Sequence, residues 1–91
     1  MKKSNLNLQK AVSILEKWQR GEDSHKLVHV VDFIFRPQST QFMLCVDIYI
    51  AGVSENHLDG RTEYFYGSFL DCINQAVDKI EEIREDMRKR I

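Results

Sequence analysis

Few side chains in this sequence could do chemistry: Asp32, Asp47, three histidines and two cysteines. Asp32 and Asp47 sit at positions that place them on one face of a predicted hairpin, directly opposite or diagonal according to its register. Two carboxylates that close could share a proton or hold a cation. Catalysis would also require a nucleophile, a pocket and a group to orient the acids. Their surroundings, "VVDFIF" and "LCVDIY", supply apolar neighbours instead. The plainer reading is that the two acids keep an apolar sheet face hydrated and discourage uncontrolled stacking.

The soft ligands are His25, His29, His57, Cys45 and Cys72, and none shows the spacing of a C-x-x-C or helical H-x-x-x-H metal site. His25 and His29 share a strand face but lie about 13 Å apart on it, too far for one ion. Cys72 falls in the first turn of a predicted helix, where the dipole lowers a thiol pKa. It also falls on that helix's apolar stripe, which predicts a buried, inert thiol. There is no Ser-His-Asp or Cys-His order, no glycine-rich phosphate loop and no H-E-x-x-H. The sequence therefore predicts no catalytic residue, no metal, no cofactor and no enzymatic turnover.

The elements that carry these residues are legible from periodicity. Over 5–20, Leu8, Ala11, Val12, Ile14, Leu15 and Trp18 recur on one helical face, with Asn5 or Asn7 to cap the start and Gly21 to end it. Residues 26–36 and 42–52 alternate as strands. Their turn is "PQST" or "QSTQ", and Pro37 favours the first because it suits the second position of a type I turn. "GEDSHK" and "AGVSENHLDG" read as connections, the latter ending in the Asp59-Gly60 turn dipeptide, and "RTEYFYG" reads as a third strand with Phe65 inward. "SFLD" is a capping-box variant with Ser68 as N-cap. The stripe Phe69, Cys72, Ile73, Ala76, Val77, Ile80, Ile83, Met87 and Ile91 follows it.

These elements predict an α+β fold in one domain over 1–91: a two-layer sandwich, α-β-β-β-α, with a three-stranded antiparallel meander and both helices on one face. Two helices, each about 10 Å across, cover one side of a sheet about 14 Å wide and leave the other open. Strict alternation puts Leu27, His29, Val31, Phe33 and Phe35 under the helices. It leaves Val28, Val30, Asp32, Ile34, Met43, Asp47, Tyr49, Tyr64 and Tyr66 on the outer face, with Cys45 and Ala51 among them. That is an apolar and aromatic surface larger than a monomer usually leaves bare.

Composition sets the class: 43% hydrophobic and 30% charged residues describe a globular chain rather than a disordered one. No apolar run reaches the roughly 20 residues a membrane span needs, and the N-terminal segment reads as a helix rather than a signal peptide. Two cysteines without a framework predict free thiols and a reducing, cytoplasmic setting. The net charge of −1 gives no general attraction to nucleic acid.

The α-β-β-β-α order resembles the double-stranded RNA-binding domain in arrangement. That family grips RNA with a basic run at the start of its last helix and a G-P-x-H-type loop between its first strands. Here the corresponding segments are the acidic "GSFLDCINQAVDK" and "RPQST", so the resemblance covers element order and no motif. The function expected is a non-enzymatic protein-interaction module, a small homodimeric accessory or regulatory protein (an inhibitor among the options) that pairs with itself or another protein through the outer face. The alternatives are a nucleic-acid-binding domain, a small-ligand binder, and a monomer whose loop 52–60 folds back over the face.

Overall fold

The computed structural model describes residues 5–22, 28–50 and 60–89. They form α1 (Leu8–Gln19), β1 (Val28–Pro37), β2 (Phe42–Ile50), β3 (Gly60–Gly67) and α2 (Phe69–Lys89). The strands make one antiparallel sheet in the order β1-β2-β3, with both helices packed on one side. This is the predicted α+β sandwich. Residues 23–27 and 51–59 lie outside the described residues, as do Arg90 and Ile91. The first two segments hold most of the two predicted connections, with His25, His57 and Asp59, and the predicted strand residues Leu27 and Ala51.

Local chemistry fixes the helix ends. The Asn7 side chain accepts a hydrogen bond from the Lys10 N–H at 2.9 Å, satisfying one of the four orphan donors of the first turn of α1. At the other end Gly21 takes a φ of 68°, a left-handed conformation that costs a residue without Cβ little. The Gly21 N–H then reaches the Trp18 carbonyl and the Glu22 N–H reaches Lys17, the paired bonds that close a helix behind a glycine. The capping box of α2 forms as read. The Asp71 N–H donates to Ser68 Oγ at 3.1 Å, and the Ser68 N–H donates back to the Asp71 carboxylate at 3.4 Å.

The core lies between the layers. Leu44, Val46, Ile48 and Ile50 of β2 and Phe65 of β3 meet Cys72, Ala76, Ile80 and Ile83 of α2, while α1 contributes Trp18. A run of aromatic contacts crosses the helix side of the sheet. Trp18 meets Phe33 edge-on at 5.8 Å, Phe33 meets Phe35 at 6.4 Å, and Phe35 stacks on Phe69 at 5.0 Å. Both helices are thereby tied to the same strand. On α1 the apolar stripe is wider than its seat: Ala11 and Trp18 are buried, but Leu8 and Val12 are exposed at its margin.

Two features of β1 differ from strict alternation. The pairing Pro37↔Phe42 makes "QSTQ" the loop, closed by the Gln38 N–H on the Gln41 carbonyl at 2.7 Å. Pro37 therefore ends the edge strand, where its missing N–H is tolerated, rather than opening the turn. The larger difference is a register shift between Val30 and Asp32. Asp32 pairs with Asp47, but Val30 pairs with Ile48 and Val28 with Ile50, so Val31 is an extra residue on β1.

That bulge reverses the faces of the strand's first half. Val28 and Val30, expected outside, lie under the helices at 0% and 3% exposure, whereas Val31, expected inside, is 57% exposed. His29 moves outward with Tyr49. The physical reason is polarity. An unbroken strand would press the His29 imidazole into the core beside Ile48 and Ile50, whereas the bulge buries two valines there and keeps imidazole and carboxylate wet.

This assignment makes a sharp contrast between neighbours. Val30→Asp should lose about 3 kcal/mol or more in urea unfolding, because it leaves a buried charge unpaired. Val31→Asp should stay within about 0.5 kcal/mol of the parent. The reverse ranking would restore unbroken alternation. Separately, Ser68→Ala should cost about 1 kcal/mol through loss of the α2 cap.

Candidate interaction surface

With the register fixed, the outer face resolves into rows that run across the three strands. The first is Arg36, Met43 and Tyr66; the second Ile34, Cys45 and Tyr64; the third Asp32, Asp47 and Thr62; the fourth His29, Tyr49 and Gly60. Of the side chains expected here, Asp32, Ile34, Met43, Asp47, Tyr49, Tyr64 and Tyr66 are brought together. Val28 and Val30 are not, because the bulge buries them. Sequence alternation missed His29, whose ring lies 5.1 Å from that of Tyr49.

Among the described residues both helices lie on the opposite side of the sheet. Ile34, Tyr49, Tyr64 and Tyr66 are 43, 37, 56 and 47% exposed, with Met43 and Cys45 half-buried between them. Neither concavity formed by the described residues opens from the centre of this face. Both of its carboxylates accept a local hydrogen bond. The Thr62 hydroxyl donates to Asp47 Oδ1 at 2.6 Å, and the Phe33 N–H donates to Asp32 Oδ1 at 2.9 Å beside the bulge. The two acids face each other across β1 and β2. Among the described residues no group of three or more His, Cys, Asp or Glu side chains is placed to hold a metal ion.

Concavities among the described residues lie toward the helices. A cleft of about 190 Å³ runs between the helices, beside Trp18, Val77 and Arg84. That is below the roughly 300–1,000 Å³ of small-molecule sites. A more open groove of about 510 Å³ lies where Leu15 and Trp18 of α1 approach Val31 and Phe33, rimmed by Glu16 and Asp32. Its rim is acidic and presents no convergent donor set. No helix among the described residues is long and apolar enough to cross a membrane.

The cysteines are free and occupy opposite sides of the sheet, Cys45 on the outer face and Cys72 in the core. Cys72 Sγ lies 3.6 Å from the carbonyl oxygens of both Phe42 and Phe65, oriented to donate. Burial pushes its thiol above the ordinary value; a backbone hydrogen bond at Leu44 opposes that rise and the Asp71 charge adds to it. Burial is the leading cause, so the thiol holds its proton more firmly than a free cysteine does.

Comparison with protein-family models, curated proteins and solved structures finds no match to this chain.

The raised thiol value has a consequence for stability. The folded state holds the Cys72 proton more tightly than the unfolded chain, so this contribution is fully present below the unfolded thiol pKa of about 8.5 and is lost as pH rises through the folded value. Unfolding midpoints measured across the alkaline range should fall for the parent chain and fall less steeply for Cys72→Ala. In native protein a maleimide should label Cys45 and spare Cys72; equal labelling of both would contradict the burial.

Proposed function

We propose that this protein is a non-enzymatic interaction module whose outer sheet face binds another polypeptide, in the first instance a second copy of itself. One observation carries the reading: a sheet face that neither described helix covers and that exposes Ile34, Tyr49, Tyr64 and Tyr66. An exposed isoleucine and three exposed tyrosines flanking the Asp32–Asp47 row form a surface that is unusual on a lone soluble chain. Its composition is also that of interfaces, which favour tyrosine and methionine and deplete lysine. Closed two-fold pairing is the commonest assembly, and it covers the patch on both chains at once.

The face argues against nucleic acid as the ligand. Its central row carries Asp32 and Asp47, and Arg36 is its one Lys or Arg side chain among the described residues. Phosphate binding would call for several lysines or arginines there. Two free thiols fit a reducing compartment such as the cytoplasm. An accessory or regulatory role, including that of an inhibitor, is compatible with a small chain whose exposed feature is a docking surface.

Sedimentation over a wide concentration range tests this reading. The parent chain should pass from monomer to dimer. Ile34→Asp should weaken the dimer by about tenfold or more, because association would bury an uncompensated charge. Trp18 lies on the helix side at 8% exposure, so its fluorescence should be unchanged in the variant. A parent chain that stays monomeric at every concentration, or that binds duplex RNA in a steeply salt-dependent manner, would overturn the reading.

A further inference from the structure

We infer that the second copy seats face to face, with the two-fold axis crossing the strands at right angles along the Ile34–Cys45–Tyr64 row, so that Arg36 of each chain meets Asp32 of the other. This rests on the interaction reading above and names the partner's alignment.

Asp32 and Asp47 sit opposite each other within an otherwise apolar face. Covering that face removes water from two like charges, which requires a cation nearby. The chain's own Arg36 cannot supply it: it lies four residues along the strand from Asp32, about 13 Å away. The ion pairs found among the described residues, Arg20–Glu22, Arg61–Glu63, Lys79–Glu82 and Arg84–Glu81, use neither acid nor Arg36.

Symmetry then selects the alignment. Rotation about the Ile34–Cys45–Tyr64 row exchanges the row above it with the row below. Arg36 falls on Asp32 of the second copy, Met43 on Asp47, and Tyr66 on Thr62, and each contact occurs twice. An axis between the Asp32–Asp47–Thr62 and His29–Tyr49–Gly60 rows sets Asp32 on His29 and Asp47 on Tyr49 but gives neither acid an arginine. Three further axes place the acids worse. An axis along β2 sets Asp47 against its own copy. An axis on the Asp32–Asp47–Thr62 row does the same, and one midway between that row and the Ile34–Cys45–Tyr64 row sets Ile34 against Asp32. Asp47 keeps its Thr62 hydroxyl at 2.6 Å, and the phenol of Tyr66 from the second copy approaches beside it.

The three rows that face each other in this alignment span about 14 Å by 20 Å, on the order of 300 Å² of flat area per chain, with the His29–Tyr49–Gly60 row beyond them. That places the contact at the small, reversible end of specific interfaces. Cys45 lies on the proposed axis, so the two copies of its thiol are brought close together. Cys72 is buried on the other side of the sheet and does not compete for a reagent.

The test uses the full chain and two independent readouts. Sedimentation compares the parent with Arg36→Asp, Asp32→Arg and the double reversal. Each single variant should weaken the dimer by about tenfold or more, since like charges then face each other. The double variant should recover to within about threefold of the parent, since the pair is restored with its signs exchanged. A short bis-maleimide should cross-link the parent dimer through Cys45 and fail with Cys45→Ser. A double variant no tighter than the singles, or a dimer that Cys45 does not cross-link, would overturn this alignment and leave the interaction reading standing. A parent chain monomeric at all concentrations would overturn both.

Discussion

Val31 is the extra residue that lets β1 change faces between its two halves, and both surfaces of the sheet depend on it. Before the bulge the strand sends Val28 and Val30 beneath α2, where Arg84 Nε donates to the Val28 carbonyl at 3.0 Å. After it, Phe33 and Phe35 continue the core while Asp32, Ile34 and Arg36 turn outward. Remove the insertion and one half of the strand must be wrong: either a histidine enters the core or the aromatic run that ties α1 and α2 to β1 leaves it. The bulge also interrupts an edge strand, which with Pro37 discourages sheet extension from that side. Association through the open face is then favoured over association through the β1 edge.

The two faces that result are chemically distinct. Under the helices the chemistry is quiet: aliphatic and aromatic packing, and a cysteine whose thiol proton burial retains. Outside, polar groups interrupt an apolar surface at regular intervals, so that the face carries a pattern of charge as well as grease. Such a pattern confers orientation more than strength. In the proposed dimer tyrosine and isoleucine would supply the area, and Arg36, Asp32 and Asp47 would decide which alignments are tolerable.

Much of this was legible in the sequence because it is local. The "SFLD" cap, the Asn7 cap and the Gly21 stop each involve residues within one helical turn, and each formed as the residue types require. Phe65 inward with Tyr64 and Tyr66 outward followed from alternation alone. What alternation could not supply was the bulge, since Val28, Val30 and Val31 are equally apolar and permit either parity. The signal lay in the polar residues: His29 and Asp32 are an odd number of positions apart, and both reach water on one face only if a residue is inserted between them. Leu8 and Val12 were read as core for a related reason. A stripe's width is visible in sequence, but the width of the seat that receives it depends on the neighbouring elements.

The central claim is that the sheet face bearing Ile34, Tyr49, Tyr64 and Tyr66 is buried against another chain. The most direct measurement is an isotope-filtered NOE experiment on an equal mixture of labelled and unlabelled protein. Intermolecular signals are expected from the Thr62 methyl to the Tyr66 ring of the other copy, and none from Leu44 or Ile73 in the core. Intermolecular signals confined to the β1 or β3 edge, or no intermolecular signal at high protein concentration, would contradict it.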